Sequence, residues 1–521
     1  MSTLGKLTIH FALTLAFGLS TIACLGQIER GGEPVSWNLT EAIDPTLQIV
    51  DLPVVNSSAL LAEDAMEVEN RGKPYRFAIS QDVNLNNTND GRWTTLNNGD
   101  RIWQLAINSV GAVSMSVTFD DFYLPKGTVL YVYSADRSGI LGAFTSANNK
   151  DGQKFTTTHL PGDQLIIEYY EPLIRRDQGS LSVESIAHAY KNIINTNLEN
   201  TCLENLGCNT PNDLTAIGSS VVRLTVANGT KYATGVLMNN ASFSGRPLVL
   251  TTFDPSLGDP SGWVATFNWV DEDCTGTAIN ESKQSISGAT LLKANSEFGF
   301  AIVELSLKPL VGWNIQYAGW SRSGSTPQSV SSIHHAEGQV KKLNTSTLAP
   351  VHHMEDAMIY LDIPHWDTGT SLEGSVGAPL FDENNRMIAW FVNGNHTCTA
   401  SGFDTYARLY EAWDELEKYL DPFNSGVQAI EGFKPGFDQI DQRIIQDQLG
   451  VFPNPAIDRV NIVNESKEGF EFLQIFNLQG QLVLAESYKG GPLFLGDLPR
   501  GSYILKFQLE SSVINKKVIL K

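Results

Sequence analysis

The sequence predicts an all-β protein of several domains, and three observations lead to this fold class. The chain has 521 residues, more than a single core usually organises. Apolar residues make up 42% of it and charged residues 18%, so large cores can be buried and disorder is excluded for most of the chain. Short runs of alternating apolar and polar residues recur, broken by Gly, Asn and Asp, which is typical of strands.

The strand patterns divide the chain into regions. Residues Tyr75–Pro172 have the strand spacing of a β-sandwich. A second β region extends from Ile217 to about Trp413, and its helical periodicity is confined to Tyr406–Tyr419. A polar, Gly/Pro-containing stretch from Asp421 to Gly450 suits a linker, and Val451–Lys521 has a compact β pattern of its own.

The charge of the chain excludes one class of partner. The sequence contains 57 acidic and 36 basic residues, which gives a net charge of −21. A charge of this sign repels nucleic-acid phosphates and anionic lipid headgroups. We therefore expect no nucleic-acid partner, and no run after the N-terminus reaches the length of a transmembrane segment.

The first 26 residues have the features of an export signal. Lys6 supplies positive charge, Leu7–Leu19 is apolar but too short to span a bilayer, and Ala23–Gly26 contains small residues suited to cleavage. We predict cleavage before Gln27. The alternative is a lipoprotein signal, in which Cys24 would be lipidated.

The cysteines favour disulfides. If Cys24 leaves with the signal, four remain, an even number in an oxidising compartment. They are Cys202, Cys208, Cys274 and Cys398. A metal site is the alternative, but the sequence has no Cys-x-x-Cys pair and no regularly spaced histidines. We predict no metal and no cofactor.

The tail combines several motifs of a small β-sandwich. These are Phe452-Pro-Asn-Pro-Ala456, Leu473–Gly480, Leu495–Tyr503 and a basic last strand, Lys516–Lys521. The combination resembles the C-terminal sorting domain of the type IX secretion system of gram-negative bacteria. The resemblance implies the secretion machinery as a partner and a secreted or outer-surface location. A β accessory domain without a sorting role is the alternative.

The central region carries a second set of landmarks. They are Val221–Leu224, Thr234–Asn240, Leu250–Thr252, Asn268–Trp269, Ser287–Leu292, Ala318–Trp320, Ile333–His335 and Gly374–Pro379. From about Cys202 to Trp413 the chain resembles the lysyl endopeptidase branch of the trypsin-like serine proteases. The resemblance implies two six-stranded β-barrels with the active site between them, and Phe77–Ala189 resembles the N-terminal extension that precedes such domains.

The resemblance also implies a disulfide pairing. Four of the family's six cysteine positions are matched, which implies the pairs Cys202–Cys398 and Cys208–Cys274. The third pair falls at Ala233 and Pro255, so both of its halves are missing together.

The catalytic positions of the family depart from its pattern. A serine protease needs a hydroxyl nucleophile, an imidazole base and a carboxylate that orients the imidazole. At the three corresponding positions this sequence has Val376, Asp254 and Gly299, here called the triad positions. We therefore predict no catalytic residues and a protein without protease activity.

Two other residues bear on this interpretation. A relocated triad could use Ser375 with an acid and a histidine from the set Glu297, His334, His335, His352 and His353. Asp404 aligns with the acid at the base of the family's lysine pocket and is a candidate ligand-pocket residue, although Val392 replaces the pocket histidine.

The predicted organisation has six parts. They are a signal peptide (1–26), a lead segment (27–74), an N-terminal β-sandwich (75–195), a trypsin-like protease-like domain (200–420), a linker (421–449) and a type IX sorting domain (450–521). The favoured function is a secreted or cell-surface binding protein with a peptide or protein ligand. The alternatives are an active serine endopeptidase with a relocated triad and an adhesin that acts through the β-sandwich.

Overall fold

The structure is a computed structural model. It describes residues 32–38, 47–66, 72–192, 202–207, 210–271, 284–356, 358–396, 402–435, 449–452, 454–464, 470–477, 482–486, 488, 491–509 and 513–521. The predicted signal peptide, with Cys24, lies outside these ranges, as do Cys208, Cys274 and Cys398. Within the described ranges no helix is both long and apolar enough to cross a membrane.

The N-terminal domain contains two facing sheets. Its strands are β1 (Ile49–Asp51), β2 (Tyr75–Arg76), β3 (Ala78–Asn86), β4 (Arg92–Thr95), β5 (Arg101–Asn108), β6 (Ser114–Tyr123), β7 (Val129–Ser134), β8 (Ile140–Phe144), β9 (Phe155–Thr156), β10 (Leu160–Pro161), β11 (Gln164–Glu171) and β12 (Ser180–Ala189). One sheet has the order β1-β5-β11-β7-β8 with β4 on β5, and the other β10-β6-β12-β3 with β9 on β6. Trp103, Phe119 and Tyr169 are fully buried in the core between them.

The lead segment contributes to this domain. Strand β1 pairs in parallel with β5, so a piece of the lead segment completes a sheet of the sandwich. Helix α1 (Ser57–Met66) follows it. Strand β2 pairs instead with the central domain, which ties the start of the predicted sandwich to its neighbour.

The central domain is built from two larger sheets. Its strands are β13 (Glu204–Asn205), β14 (Val221–Val226), β15 (Lys231–Met238), β16 (Leu248–Thr252), β17 (Val264–Thr266), β18 (Ser285–Ser287), β19 (Ala289–Asn295), β20 (Phe300–Leu305), β21 (Trp320–Ser321), β22 (Val330–His334), β23 (Lys342–Ser346), β24 (Val351–Glu355), β25 (Met358–Ile363), β26 (Pro379–Phe381), β27 (Met387–Gly394), β28 (Asp404–Arg408) and β29 (Ala429–Ile430). Its helices are α2 (Asn212–Gly218) and α3 (Trp413–Leu420).

These two sheets contain eight and ten strands, whereas the resemblance implied six in each of two barrels. The first has the order β18-β17-β14-β15-β16-β20-β19, with β2 on β15. The second has the order β13-β23-β22-β26-β27-β28-β25-β24, with β21 on β27 and β29 on β21. The predicted all-β fold class is confirmed.

The helix predicted over Tyr406–Tyr419 is wrong in its first half. Tyr406 and Ala407 lie in β28, where they pair with β25 and β27, and α3 begins at Trp413. The helix buries Trp413, Leu416, Tyr419 and Leu420, the spacing of one apolar helix face. Tyr406 is also apolar and lies seven residues, about two helical turns, before Trp413. This spacing led the prediction to extend the helix into residues that form a strand.

The first part of the predicted linker packs on the central domain. Strand β29 pairs with β21, and the backbones of Tyr317 and Phe433 exchange two hydrogen bonds, of 2.7 and 2.9 Å. Residues 421–435 are therefore part of the domain fold rather than a linker.

The tail forms a small two-sheet sandwich. Its strands are β30 (Leu449–Phe452), β31 (Arg459–Asn464), β32 (Phe470–Asn477), β33 (Leu482–Glu486), β34 (Gly491–Phe494), β35 (Gly501–Leu509) and β36 (Val513–Leu520). The sheet orders are β30-β31-β34 and β33-β32-β35-β36. Its core includes Leu473, Ile475, Leu505 and Phe507, all fully buried.

The N-terminal and central domains share a polar and aromatic interface. The ring of Phe77 stacks on that of Tyr232, with ring centroids 4.2 Å apart and planes 7° from parallel. The backbone N–H of Thr156 donates to Ser287 Oγ at 3.1 Å, and Phe77 is fully buried. The two domains are therefore held together by buried contacts as well as by the chain.

We expect Phe77→Ala to lower the free energy of unfolding by about 3 kcal/mol, because it removes a buried aromatic ring and leaves a cavity against Tyr232. Phe423→Ala is the matched control, since Phe423 is 74% exposed and its loss should change stability little. Denaturant unfolding of the two variants checks this. Equal stabilities for both would contradict a packed interface.

Candidate functional site

The triad positions come together where the two sheets of the central domain meet. Asp254 follows β16 and begins a short 3-10 helix, Pro255–Leu257, whose Ser256 N–H donates to Asp254 Oδ1 at 2.7 Å. The carboxylate of Asp254 thus caps a helix.

Gly299 lies next to the end of β16. Its carbonyl oxygen accepts hydrogen bonds from the backbone N–H of Phe253 and from Trp390 Nε1, both at 3.1 Å. Its φ is +63°, a conformation that favours glycine, and a Cβ here would lie 3.3 Å from Val392 Cγ1. The backbone at this position is therefore shaped for glycine and disfavours an aspartate.

Val376 lies in the loop Gly374–Pro379, here called the nucleophile loop. Its carbonyl oxygen accepts from the backbone N–H of Thr234 at 3.0 Å, and only 1% of the residue is exposed. A Cβ on Gly377 would overlap the carbonyl oxygen of Thr234 and lie 2.8 Å from Thr252 N. The loop therefore packs tightly against β15 and β16, beside Asp254 and Gly299.

Thr234 connects the parts of this site. Its hydroxyl donates to the carbonyl oxygen of Gly374 at 2.8 Å and accepts from the backbone N–H of His335 at 3.0 Å. Its carbonyl oxygen accepts from Thr251 Oγ1 at 2.7 Å. The residue is fully buried and joins β16, the end of β22 and the nucleophile loop.

Ser375 and His334, two of the residues considered for a relocated triad, belong to a buried polar network. Ser375 Oγ lies 2.8 Å from His334 Nδ1, and His334 Nε2 lies 3.0 Å from Asn344 Oδ1. Because an amide oxygen only accepts, Nε2 donates to Asn344 and Nδ1 accepts from the serine hydroxyl. Asn344 Nδ2 donates in turn to Ser371 Oγ at 3.1 Å.

The environment of this network keeps its histidine neutral. Ser375, His334 and Asn344 are fully buried. Burial lowers the pKa of His334 to about 4, with a smaller opposing effect of the hydrogen bond to Asn344. The pairing of Ser375 with His334 bridges 41 positions of sequence, and no motif spacing connects them.

The other residues considered for a relocated triad have different partners. His335 Nδ1 lies 2.9 Å from the carbonyl oxygen of Gln339, and His352 Nε2 lies 2.9 Å from Thr326 Oγ1. His353 Nδ1 lies 3.5 Å from Asp362 Oδ2. The backbone N–H of Glu297 donates to Asn295 Oδ1 at 2.8 Å in a turn.

Asp404 is the first residue of β28 and is fully buried. Its Oδ2 accepts from Trp366 Nε1 at 2.8 Å, and a Cβ on Gly394 would overlap its Oδ1. Burial, and after it the charge of Asp404, raises the pKa of Tyr406. The acid therefore lies in an aromatic wall made by Trp366 and Tyr406.

The site contains a further residue from outside the domain. The backbone N–H of Gly374 donates to the carbonyl oxygen of Lys73 at 3.0 Å. Lys73 belongs to the predicted lead segment, where sequence analysis assigned no functional residue. No motif of that segment indicated a contact with the nucleophile loop.

Two other predictions bear on the site. Cys202 is disulfide-bonded, and the pairings Cys202–Cys398 and Cys208–Cys274 remain predictions because the other three cysteines lie outside the described residues. Within the described part of the chain, no group of three or more His, Cys, Asp or Glu residues could hold a metal ion.

Two family models match the chain. Residues 196–407 match the model of the lysyl endopeptidase C-terminal domain. Residues 450–521 match the model of the secretion system C-terminal sorting domain. Both matches fall on the regions in which the sequence motifs carried the corresponding resemblance.

Three solved structures are similar to parts of this chain. An HtrA-type protease, AlgW, with tripeptide, has a TM-score of 0.30 at 12% identity, covering 59% of this chain and 95% of that chain. An inactive form of Rv3671c from M. tuberculosis H37Rv has a TM-score of 0.29 at 13% identity, covering 42% and 93%. The MamO protease domain from Magnetospirillum magneticum has a TM-score of 0.26 at 13% identity, covering 39% and 97%.

Residues 196–407 are therefore similar to the lysyl endopeptidase C-terminal domain, and the sorting domain at residues 450–521 indicates that the protein is secreted to the cell surface by the type IX secretion system.

Proposed function

We propose that this protein is a catalytically inactive homologue of the extracellular lysyl endopeptidases and acts outside the cell as a binding protein. The observation that carries the proposal is the convergence of Asp254, Gly299 and Val376 on one junction between the two sheets. The convergence supports the alignment on which the loss of the triad depends, because the three positions are far apart in sequence.

The chemistry of the three side chains supports the loss of catalysis. Valine has no hydroxyl to attack a carbonyl, and glycine has no carboxylate to orient an imidazole. Removal of the nucleophile or the base alone costs about 10⁶ in turnover in a protease of this mechanism. Here both are absent, together with the acid.

The surroundings of these positions also support the proposal. An aspartate at Gly299 would need a positive φ and would crowd Val392. Val376 and the backbone around it are packed into the protein interior. The backbone at Gly299 and the burial of Val376 thus fit the residues that are present.

The relocated triad is the competing proposal, and Ser375 with His334 is its best candidate. The order of donors and acceptors, from hydroxyl to imidazole to Asn344, is suitable for a nucleophile and its base. However, Ser375 and His334 are both fully buried, so a peptide carbonyl cannot reach the hydroxyl. A histidine with a pKa of about 4 is also a weak base. These observations favour a structural role.

The adhesin alternative has little support. Its requirement is a contiguous patch of exposed aromatic residues on the N-terminal sandwich. Trp103, Tyr131 and Tyr133 are buried, with at most 6% of any of them exposed. These aromatic residues form core and sheet packing.

The ligand-pocket role of Asp404 remains part of the proposal. Its carboxylate accepts a hydrogen bond from the indole N–H of Trp366, and a lysine ammonium could pair with the carboxylate if Trp366 moved away. Because Val392 replaces the family's pocket histidine, lysine selectivity is not part of the proposed function.

Labelling with a fluorophosphonate probe, which reacts with activated serines, tests the loss of catalysis. We expect no labelling of the folded, exported protein and no cleavage of a Lys-containing peptide, with an active lysyl endopeptidase as positive control. Labelling that is abolished by Ser375→Ala would establish a relocated nucleophile and contradict the proposal.

The buried histidine predicts a pH dependence of stability. The folded pKa of His334, about 4, is below its ordinary value of 6.5, so the unfolded chain binds the proton more readily. The contribution of neutral His334 to the free energy of unfolding is therefore complete above pH 6.5 and is lost as the pH falls toward 4. Between pH 7 and pH 5 the contribution of His334 should fall by roughly 2 kcal/mol.

Unfolding of His334→Gln at both pH values measures this contribution, because the variant should lose correspondingly less stability than the unmodified chain. His365→Gln is the control, since the side chain of His365 is 58% exposed. In the unmodified chain the His334 ring should remain neutral at pH 5 by NMR. A ring that titrates near pH 6.5 would disprove the buried network.

A further inference from the structure

The carbonyl group of Lys73 lies at a functional position of the protease fold. In Ser-His-Asp proteases, the backbone N–H of the glycine two residues before the nucleophile helps to bind the carbonyl oxygen under attack. Gly374 stands two residues before Val376, and its N–H donates to the carbonyl oxygen of Lys73 at 3.0 Å. Lys73 thus presents its carbonyl oxygen as a bound substrate would.

The residue before Lys73 lies flat against β27. A Cβ on Gly72 would overlap the carbonyl oxygen of Val392 and lie 2.8 Å from Asn393 Cα. A larger side chain therefore cannot be placed here without moving the chain. Gly72 fits the cleft wall closely, as a residue of a bound peptide does.

The side chain of Lys73 forms an ion pair with Glu373, the residue that precedes the nucleophile loop. Its Nζ lies 3.5 Å from Glu373 Oε1, and both side chains are about one-fifth exposed, at 23% and 21%. Burial raises the pKa of Glu373, and the nearby charge of Lys73 partly opposes that rise. The ammonium of Lys73 is therefore paired with Glu373 at the rim of the cleft. Asp404, by contrast, accepts a hydrogen bond from Trp366.

The segment is anchored on its other side by strand pairing. Tyr75 and Arg76 form β2, which pairs antiparallel with Tyr232 and Lys231 of β15. Pro74, between these strand residues and Lys73, is buried. Backbone hydrogen bonds therefore hold the segment on both sides, with bends at Gly72 and Lys73 and a strand at Tyr75–Arg76.

Side-chain contacts from α1 reinforce this end of the segment. Arg76 Nε donates to Asp64 Oδ1 at 2.8 Å. Tyr190 Oη donates to Asp64 Oδ2, and Lys191 Nζ lies 2.7 Å from the same oxygen. Asp64 thereby ties the segment to the N-terminal domain, and the electrostatic contacts are partly buried.

We propose that Gly72–Arg76, here called the cleft strap, is a built-in peptide ligand that occupies the protease-like cleft. The cleft keeps the capacity to bind a peptide of the Gly-Lys-Pro-Tyr type, and an external peptide binds when the strap leaves. The inference rests on the proposed function in one respect, that the cleft is a binding site, and it does not depend on the loss of catalysis.

Gly72→Val tests the proposal, because the added side chain overlaps β27 and should expel the strap. Binding of a fluorescent peptide with the sequence of residues 71–76 is measured by anisotropy on the full exported chain. We expect at least tenfold tighter binding to Gly72→Val than to the unmodified chain. Gly152→Val is the matched control, since a Cβ on Gly152 has no atom within 4 Å and should leave binding unchanged.

A second pair of variants tests the proposal independently, in case Gly72→Val does not fold. Lys73→Glu places like charges beside Glu373 and should also increase peptide binding, whereas combining it with Glu373→Lys should restore the closed state. The Gly374 amide should exchange slowly with solvent in the unmodified chain and at least tenfold faster in Gly72→Val. A peptide that carries the Gly72→Val change should not bind.

The outcomes separate this inference from the proposed function. Folded strap variants that gain no peptide affinity, or an unmodified Gly374 amide that exchanges as fast as in Gly72→Val, would overturn the cleft strap. Fluorophosphonate labelling would overturn the loss of catalysis but would leave the strap in place.

Discussion

The geometry of the site depends on the hydrogen bonds of Thr234. From its buried position in β15 it donates from its backbone to Val376 and from its hydroxyl to Gly374, and its carbonyl oxygen accepts from Thr251. The close approach of Gly377 to the same strands leaves the loop no room to shift. These constraints fix the nucleophile loop regardless of which residue occupies its centre, so the fold can persist while its catalytic side chains change.

This separation between scaffold and chemistry accounts for the properties of the cleft. The backbone N–H of Gly374 needs no side chain and remains able to bind a carbonyl oxygen, which it does for Lys73. The groups that would transfer protons or form a covalent bond are side chains, and under the proposed function they are absent at the triad positions. On that proposal, a site without covalent chemistry retains the backbone contacts that bind a peptide.

Much of the fold was accessible from the sequence, because strand alternation and turn residues are local signals. The all-β class, the protease-like region and the sorting tail were predicted from patterns such as Gly374–Pro379 and Phe452–Ala456. The extent of the helix near Tyr406 was not, since apolar spacing in a buried strand coincided with helical spacing. Tyr406 and Ala407 form a strand because β28 pairs with β25 on one side and β27 on the other. Such pairing partners are distant in sequence and are not indicated by local residue spacing.

The sequence indicated candidate site residues but not the contacts between them. Motif alignment located Asp254, Gly299 and Val376, whereas the contact of Ser375 with His334 and that of Lys73 with Gly374 join distant parts of the chain. Such pairs depend on how the sheets curve and on where the lead segment runs after folding. One sequence contains no record of those distances, so the strap and the buried network required the structure.

The most direct measurement of the central claim is the hydrolysis of an activated lysine ester by the full exported protein. An ester with a good leaving group needs little help from a general acid and therefore reports even a weakened nucleophile. We expect a rate equal to that with heat-denatured protein at every ester concentration. A saturable rate that is proportional to the concentration of folded protein would contradict it.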